Sequence, residues 1–127
     1  MIGPLDHIAL TVCDLDDAIR LFIGGLGFRL RRRGVHAVTG GRIALLDAPG
    51  GGVKLELIEQ PGESSLDHVA LRVDDVREAA ARLESDGLIP LSGPFYIEAA
   101  MAESALLRAR DGVCVQLIRY DPQSPDL

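Results

Sequence analysis

The chain has 127 residues, the length of one small domain, with 47% hydrophobic and 25% charged residues as in ordinary globular proteins. Its net charge of −6 argues against a nucleic-acid partner, which would need a concentrated positive surface. No basic and apolar leader follows Met1, and no apolar run approaches the length of a membrane span. We therefore expect a cytoplasmic protein with no membrane partner, in which Cys13 and Cys114 are free thiols.

The first half of the chain predicts one strand, one helix and three further strands. Residues Leu5–Val12 alternate in the manner of a strand, and Asp14 is a candidate N-cap of the helix that follows. The glycines Gly24, Gly25 and Gly27 are expected to end this helix. The remaining strand candidates are Phe28–Arg33, Arg42–Asp47 and Val53–Glu59.

The second half of the chain predicts the same order of elements. A strand that ends at Val73 is followed by a helix capped by Asp74 or Asp75 and stopped by Gly87. Three strand candidates then follow, and the tail from Asp121 is expected to fray. These candidates are Phe95–Ala99, Ala105–Arg110 and Val113–Tyr120.

The two halves also resemble each other residue by residue. Residues 5–12 (LDHIALTV) recur as residues 66–73 (LDHVALRV) at an offset of 61, and residues 52–58 (GVKLELI) match residues 112–118 (GVCVQLI) at an offset of 60. Two matches at nearly one offset indicate two βαβββ modules, spanning about 4–60 and about 65–120. Because neither module is long enough to bury a core alone, we expect one pseudo-symmetric α+β domain over residues 1–127.

Strand alternation places a histidine and an oxygen-bearing side chain on one face of each module. In the first module these are His7 and Glu56, and the repeat-equivalent positions hold His68 and Gln116. A pseudo-two-fold axis would bring both pairs together as a mixed nitrogen and oxygen set, which suits a divalent ion such as Zn, Ni, Co, Mn or Fe. Each of the four residues, taken singly, is better explained by a structural role. Because all four occur at repeat-equivalent positions, a metal site and a purely structural role are about equally well supported.

Four segments of the chain resemble the vicinal oxygen chelate superfamily, which includes glyoxalase I, methylmalonyl-CoA epimerase, extradiol dioxygenases and fosfomycin-resistance transferases. The segments are residues 5–18 (LDHIALTVCDLDDA), 25–28 (GLGF), 53–59 (VKLELIE) and 66–73 (LDHVALRV). The resemblance extends over about residues 4–120. It implies a cupped mixed sheet built from paired βαβββ modules, a homodimer, and one metal ion with the ligands His7, Glu56, His68 and Gln116.

Gln116 departs from the pattern that the resemblance suggests. Glyoxalase I, the dioxygenases and the fosfomycin enzymes usually carry Glu at this fourth position, and an amide cannot act as a base. In methylmalonyl-CoA epimerase the corresponding residues are similar to the order His, Gln, His, Glu. Exchange of its two modules would produce the order His, Glu, His, Gln that is found here. Because the dioxygenases and the fosfomycin enzymes use two His and that one Glu, the resemblance disfavours both, and the ligand set is closest to epimerase-like or glyoxalase I-like members.

The resemblance implies an isomerase, lyase or epimerase that removes a proton next to a carbonyl group of a small metal-chelated substrate. Glu56 is the first candidate base, and Glu98, in the predicted second strand of the second module, is the next. His36, in the loosely corresponding region of the first module, is its symmetry counterpart and a candidate substrate-binding residue. Arg72, on the His68 face, could hold a substrate carboxylate or pair with an acidic residue. For Glu98 an exposed structural role is favoured over a catalytic one.

Two alternatives for the function stay open. The main one is a metal-free drug-binding protein of the bleomycin-resistance type, although three Phe, two Tyr and no Trp offer little aromatic surface for a ligand. A dioxygenase with an altered fourth ligand is the lesser one. The arginines from Arg29 to Arg33 could bind an anionic substrate, but we favour a solvated edge strand that charge protects from aggregation.

Overall fold

The computed structural model describes residues 2–127 and contains, over that range, eight strands, two α-helices and one π-helical segment. Their order is β-α-β-β-β twice, which confirms the predicted α+β class. The elements are β1 (Ile2–Val12), α1 (Leu15–Ile19), the π-helical segment (Arg20–Gly25), β2 (Arg29–Val35), β3 (Arg42–Asp47), β4 (Lys54–Glu59), β5 (Ser65–Val73), α2 (Val76–Ser85), β6 (Ile89–Ile97), β7 (Ala102–Arg108) and β8 (Cys114–Tyr120).

The chain divides into two compact units. The first unit is His7–Asp67, and the second unit is His68–Leu127 together with the described residues up to Asp6, so β1 contributes to both. In the first unit the strand order is β2-β3-β4-β1, with β1 parallel to β4 and the other pairs antiparallel. In the second unit it is β5-β8-β7-β6, with β5 parallel to β8 and the other pairs antiparallel. Both units thus have the mixed pairing that was predicted.

The helix of the first unit covers one face of its strands. Leu15 and Ile19 of α1 pack with Leu57 of β4, and the partly buried Leu10 and Val12 of β1 lie against the same cluster. This confirms that the aliphatic face of β1 lies under the helix. The opposite face is therefore free to carry His7 and its neighbours at period two.

The start of α1 is capped as the sequence predicts. The Asp14 carboxylate accepts a hydrogen bond from the backbone N–H of Asp17 at 3.1 Å, and Glu59 of β4 accepts one from the backbone N–H of Leu15 at 2.9 Å. The helix continues through Gly25 as a π-helical segment, which was not predicted from the sequence. Gly27, with φ +79°, then reverses the chain, a conformation that favours glycine.

The helix of the second unit packs in the same way. Asp75, and not Asp74, is the N-cap of α2, since its carboxylate accepts from the backbone N–H of Glu78 at 3.0 Å. Val76 and Ala79 of α2 are buried with Leu117 of β8. None of the helices within residues 2–127 combines the length and apolar character needed to cross a membrane.

Two predictions about the second unit are wrong. Strand β6 begins at Ile89 and not at Phe95, because Pro90 and Pro94 are accommodated by register shifts in a strand that pairs with β7 alone in this unit. The tail does not fray. The backbone N–H of Asp121 donates to the carbonyl of Met101 at 2.8 Å, and the side chain of Asp126 is buried.

Candidate metal centre

His7 and Glu56 lie together on the face of the first unit's strands that points away from α1. His7 on β1 is buried and Glu56 on β4 is partly buried, and a ring nitrogen of His7 lies within 4.8 Å of a carboxylate oxygen of Glu56. The parallel register places Ala9 opposite Glu56. Ala9 is completely buried and has only a methyl group, so it leaves room for the longer side chains on either side.

The second unit repeats this arrangement with an amide in place of the carboxylate. His68 on β5 and Gln116 on β8 are both buried. The parallel register places Ala70, another completely buried alanine, opposite Gln116. Each unit therefore carries a histidine two residues before a buried alanine, with an oxygen-bearing side chain opposite that alanine.

The orientation of the Gln116 amide suits an oxygen ligand. Its Nε2 donates a hydrogen bond to the Ser104 hydroxyl at 2.9 Å, while its Oε1 is buried and has no hydrogen-bond partner among the described residues. A buried acceptor without a partner costs about 1–3 kcal/mol of stability. Coordination to a cation would satisfy it, and two imidazoles with a carboxylate and an amide oxygen are donors that divalent transition metals accept. The residues present thus fit a divalent ion.

Arg72 forms an ion pair within the second unit. The Asp6 carboxylate is fully buried and accepts hydrogen bonds from Arg72 Nε at 2.7 Å and from the Tyr120 hydroxyl at 2.5 Å. The Arg72 guanidinium carbon also lies 5.4 Å from the centroid of the Tyr120 ring. Burial, together with the Asp6 charge, raises the pKa of Tyr120 well above its usual range. Of the two sequence-based possibilities, Arg72 thus shows the pairing with an acidic residue, and the pairing holds its guanidinium in place.

His36 and Glu98 occupy turns at the ends of strands. His36 follows β2, and its Nδ1 accepts hydrogen bonds from the backbone N–H groups of Val38 and Thr39 at 3.2 Å each. Glu98 is exposed and lies in the turn after β6, so the prediction that it belongs to a strand is wrong. Strand β6 begins and ends earlier than predicted. Its last residue is Ile97, so Glu98 lies just outside it. The His36 side chain is thus held by backbone groups of its own turn, and the Glu98 side chain faces solvent.

Comparison with known proteins now identifies the family. The model of the Glyoxalase/Bleomycin resistance protein/Dioxygenase superfamily matches residues 6–105, most of the chain. The chain belongs to this superfamily. The family predicted from the repeated motifs is thereby confirmed. No curated protein matches the sequence.

Solved structures of the superfamily share the fold. The methylmalonyl-CoA epimerase of Mycobacterium tuberculosis matches with a TM-score of 0.83 and 26% identity, over 96% of this chain and 91% of that chain. A hypothetical protein of Bacillus halodurans matches at 0.79 and 24%, over 94% and 96%. A substituted methylmalonyl-CoA epimerase of Streptomyces coelicolor, in complex with 2-nitronate-propionyl-CoA, matches at 0.80 and 24%, over 98% and 99%. These matches confirm the vicinal oxygen chelate fold.

Two residues near the proposed ligands of this glyoxalase-superfamily chain were given no functional role from the sequence. Strand alternation places Lys54 on the Glu56 face, and the structure agrees, since Lys54 is the cross-strand partner of His7. Its burial, with only 3% exposed, could not be predicted from alternation alone. Ser104, which accepts from Gln116, had no comparable signal because its role depends on the register between β7 and β8.

Two of the four arginines of β2 are paired with acidic residues of the same unit. Arg31 Nε lies 2.8 Å from the Asp47 carboxylate, and an Arg33 nitrogen lies 4.0 Å from that of Asp16. Strand β2 is the outer strand in the order of this unit. The pairs support the interpretation of a charged edge strand rather than an anion-binding surface.

Proposed function

We propose that the protein is a metal-dependent isomerase, lyase or epimerase that removes a proton next to a carbonyl group of a small substrate. The observation that carries this proposal is the pair of equivalent donor sets, one in each unit, on strands that the repeat relates. Superfamily membership and the epimerases among the structural matches support it. Homodimer formation and a cytoplasmic location remain predictions beside it.

The proposed ligands of one divalent ion are His7, Glu56 and His68, with Gln116 as the fourth. Three observations support this set. The internal repeat relates the two pairs, donor atoms of His7 and Glu56 lie within 4.8 Å of each other, and Gln116 Oε1 has no hydrogen-bond partner among the described residues. When bound, a divalent ion supplies stabilisation for negative charge on a chelating oxygen. Zn, Ni, Co, Mn and Fe all suit this mixed set of donors.

The residues of the chain divide the remaining work between them. Glu56 is the only carboxylate of the proposed set, so it is the first candidate to take and return the proton. Lys54, buried on the same face of the first unit and opposite Asp47 of β3, is a further candidate to contact a substrate that becomes anionic. Arg72, held by Asp6, is the candidate to hold a substrate carboxylate. Glu98 and His36 are weaker candidates because both lie in turns.

Two substrate classes follow from the superfamily. One structural match, at 24% identity, is a methylmalonyl-CoA epimerase in complex with methylmalonyl-CoA and NH4+, and a neutral amide beside one carboxylate ligand agrees with the donor types expected of an epimerase. Branched acyl thioesters are therefore the first class to test. The second class is α-oxo hemithioacetals, as for glyoxalase I.

Elemental analysis of the purified protein tests the metal proposal directly. We expect about one divalent ion per chain in the parent and in His36→Ala, and none in His7→Ala or His68→Ala. His36→Ala is the matched control, since it removes the third histidine of the chain from a turn. Absence of metal in the parent, both as purified and after addition of Zn, Ni, Co or Mn, would refute the proposal and leave a metal-free binding protein as the better interpretation.

A further inference from the structure

A buried hydroxyl group fixes the orientation of one proposed ligand. Ser104 on β7 is 0% exposed, and its hydroxyl accepts the hydrogen bond of Gln116 Nε2 at 2.9 Å. In the antiparallel register of β7 and β8, Leu106 is opposite Gln116 and Ser104 is opposite Ile118. Ser104 is thus the diagonal neighbour of Gln116 on the same face of the second unit.

The equivalent position of the first unit carries no polar group. There Leu45 is opposite Glu56 and Ile43 is opposite Ile58, so Ile43 corresponds to Ser104. The two units therefore differ at two coupled positions, with Ser beside the amide and Ile beside the carboxylate. A carboxylate offers two equivalent oxygens and can ligate after a half-turn of its end group, whereas an amide offers an oxygen on one side and only N–H donors on the other.

We propose that Ser104 is a positioning residue that presents Gln116 Oε1 to the metal ion. The inference rests on the proposed function, because it assumes a metal at this site. In the ligating orientation the Gln116 N–H group is buried, and Ser104 provides its acceptor. Without that acceptor the same orientation leaves a buried donor unsatisfied, which disfavours it relative to rotated forms of the side chain.

Titration of the apo-protein with Co²⁺, in competition with a chelator, tests the role of Ser104. We expect Ser104→Ala to weaken Co²⁺ binding by about 10- to 100-fold, the usual range for residues that orient a ligand. In the Gln116→Glu background the same substitution should change the dissociation constant little, because a carboxylate needs no orienting acceptor. The Co²⁺ absorption spectrum should change in Ser104→Ala and stay unchanged in the surface control Ser85→Ala.

The outcomes separate this inference from the proposed function. Parent-like affinity and spectrum in Ser104→Ala, or equal weakening in both Gln116 backgrounds, would show that Ser104 only fills the interior, and would overturn the inference while the metal site stands. Circular dichroism and the melting temperature of each apo-variant check that folding is retained. If the parent itself binds no Co²⁺, the proposed function fails, and the role of Ser104 fails with it.

Discussion

At the scale of single residues, Glu56 and Gln116 occupy equivalent places in the two modules but differ in what they can do. Both can offer an oxygen to a cation, and only Glu56 can also take up a proton at neutral pH. Glu98, the other acidic candidate, is exposed in a turn. We therefore expect Glu56, rather than Glu98, to transfer the proton in the proposed reaction.

We expect Glu56→Gln to lower substrate proton exchange by about 100- to 10,000-fold, the usual contribution of a general base. Exchange in deuterium oxide, followed by NMR at saturating metal, measures this effect, with metal content recorded in parallel. Glu63→Gln, in an exposed loop, is the control and should exchange as the parent does. A comparable loss in Glu98→Gln, with Glu56→Gln unaffected, would assign the base to the turn instead.

We expect Glu59 to make a pH-dependent contribution to the free energy of unfolding. The Glu59 carboxyl accepts hydrogen bonds from Arg42 and from the Leu15 backbone N–H. These bonds, of which that from Arg42 has the larger effect, lower its pKa from 4.5 to about 2. Because the pKa is lower in the folded protein, the stabilisation is present above about pH 4.5 and is lost as the pH falls towards 2. The difference in unfolding free energy between the parent and Glu59→Gln, from urea titrations, should shrink over this range. A difference that is constant with pH would contradict it.

At the scale of elements, the helices are held at their N-termini by acidic side chains. Asp14 and Glu59 accept from the first turn of α1, and Asp75 accepts from that of α2. The caps Asp14 and Asp75 could be predicted from the sequence. The contact of Glu59, which comes from β4, could not. Each helix then covers the aliphatic face of its unit and leaves the histidine face to the site.

We expect Asp75→Ala to destabilise the protein by about 1 kcal/mol, since it removes the acceptor for the backbone N–H of Glu78. Urea unfolding measures the change. Asp75→Asn is the matched control, because Asn caps helices about as well as Asp and should leave stability nearly unchanged. Equal destabilisation by both substitutions would indicate that the charge, and not the cap, contributes.

At the scale of the whole molecule, the proposed ligands belong to both modules, so we expect metal binding to stabilise the native state of the entire chain. A divalent ion at 100 times its dissociation constant should stabilise the native state by about 2.7 kcal/mol. Thermal unfolding with and without metal should show this gain in the parent and in His36→Ala, and not in His7→Ala. An equal gain in His7→Ala would place the ion elsewhere.

The sequence by itself determined the duplicated βαβββ order, the superfamily, the aliphatic faces under the helices and the positions of the four proposed ligands. The superfamily follows from the resemblance of four segments to a known family, and the other features follow from local periodicity and from the repeat, both of which a single chain records directly. Only the tertiary structure decided that β6 begins at Ile89, which moves Glu98 into a turn, and that Arg72 pairs with Asp6. It also decided that the Ser104 hydroxyl accepts a hydrogen bond from Gln116. These features depend on strand register and on contacts between residues far apart in the chain, which local periodicity does not record.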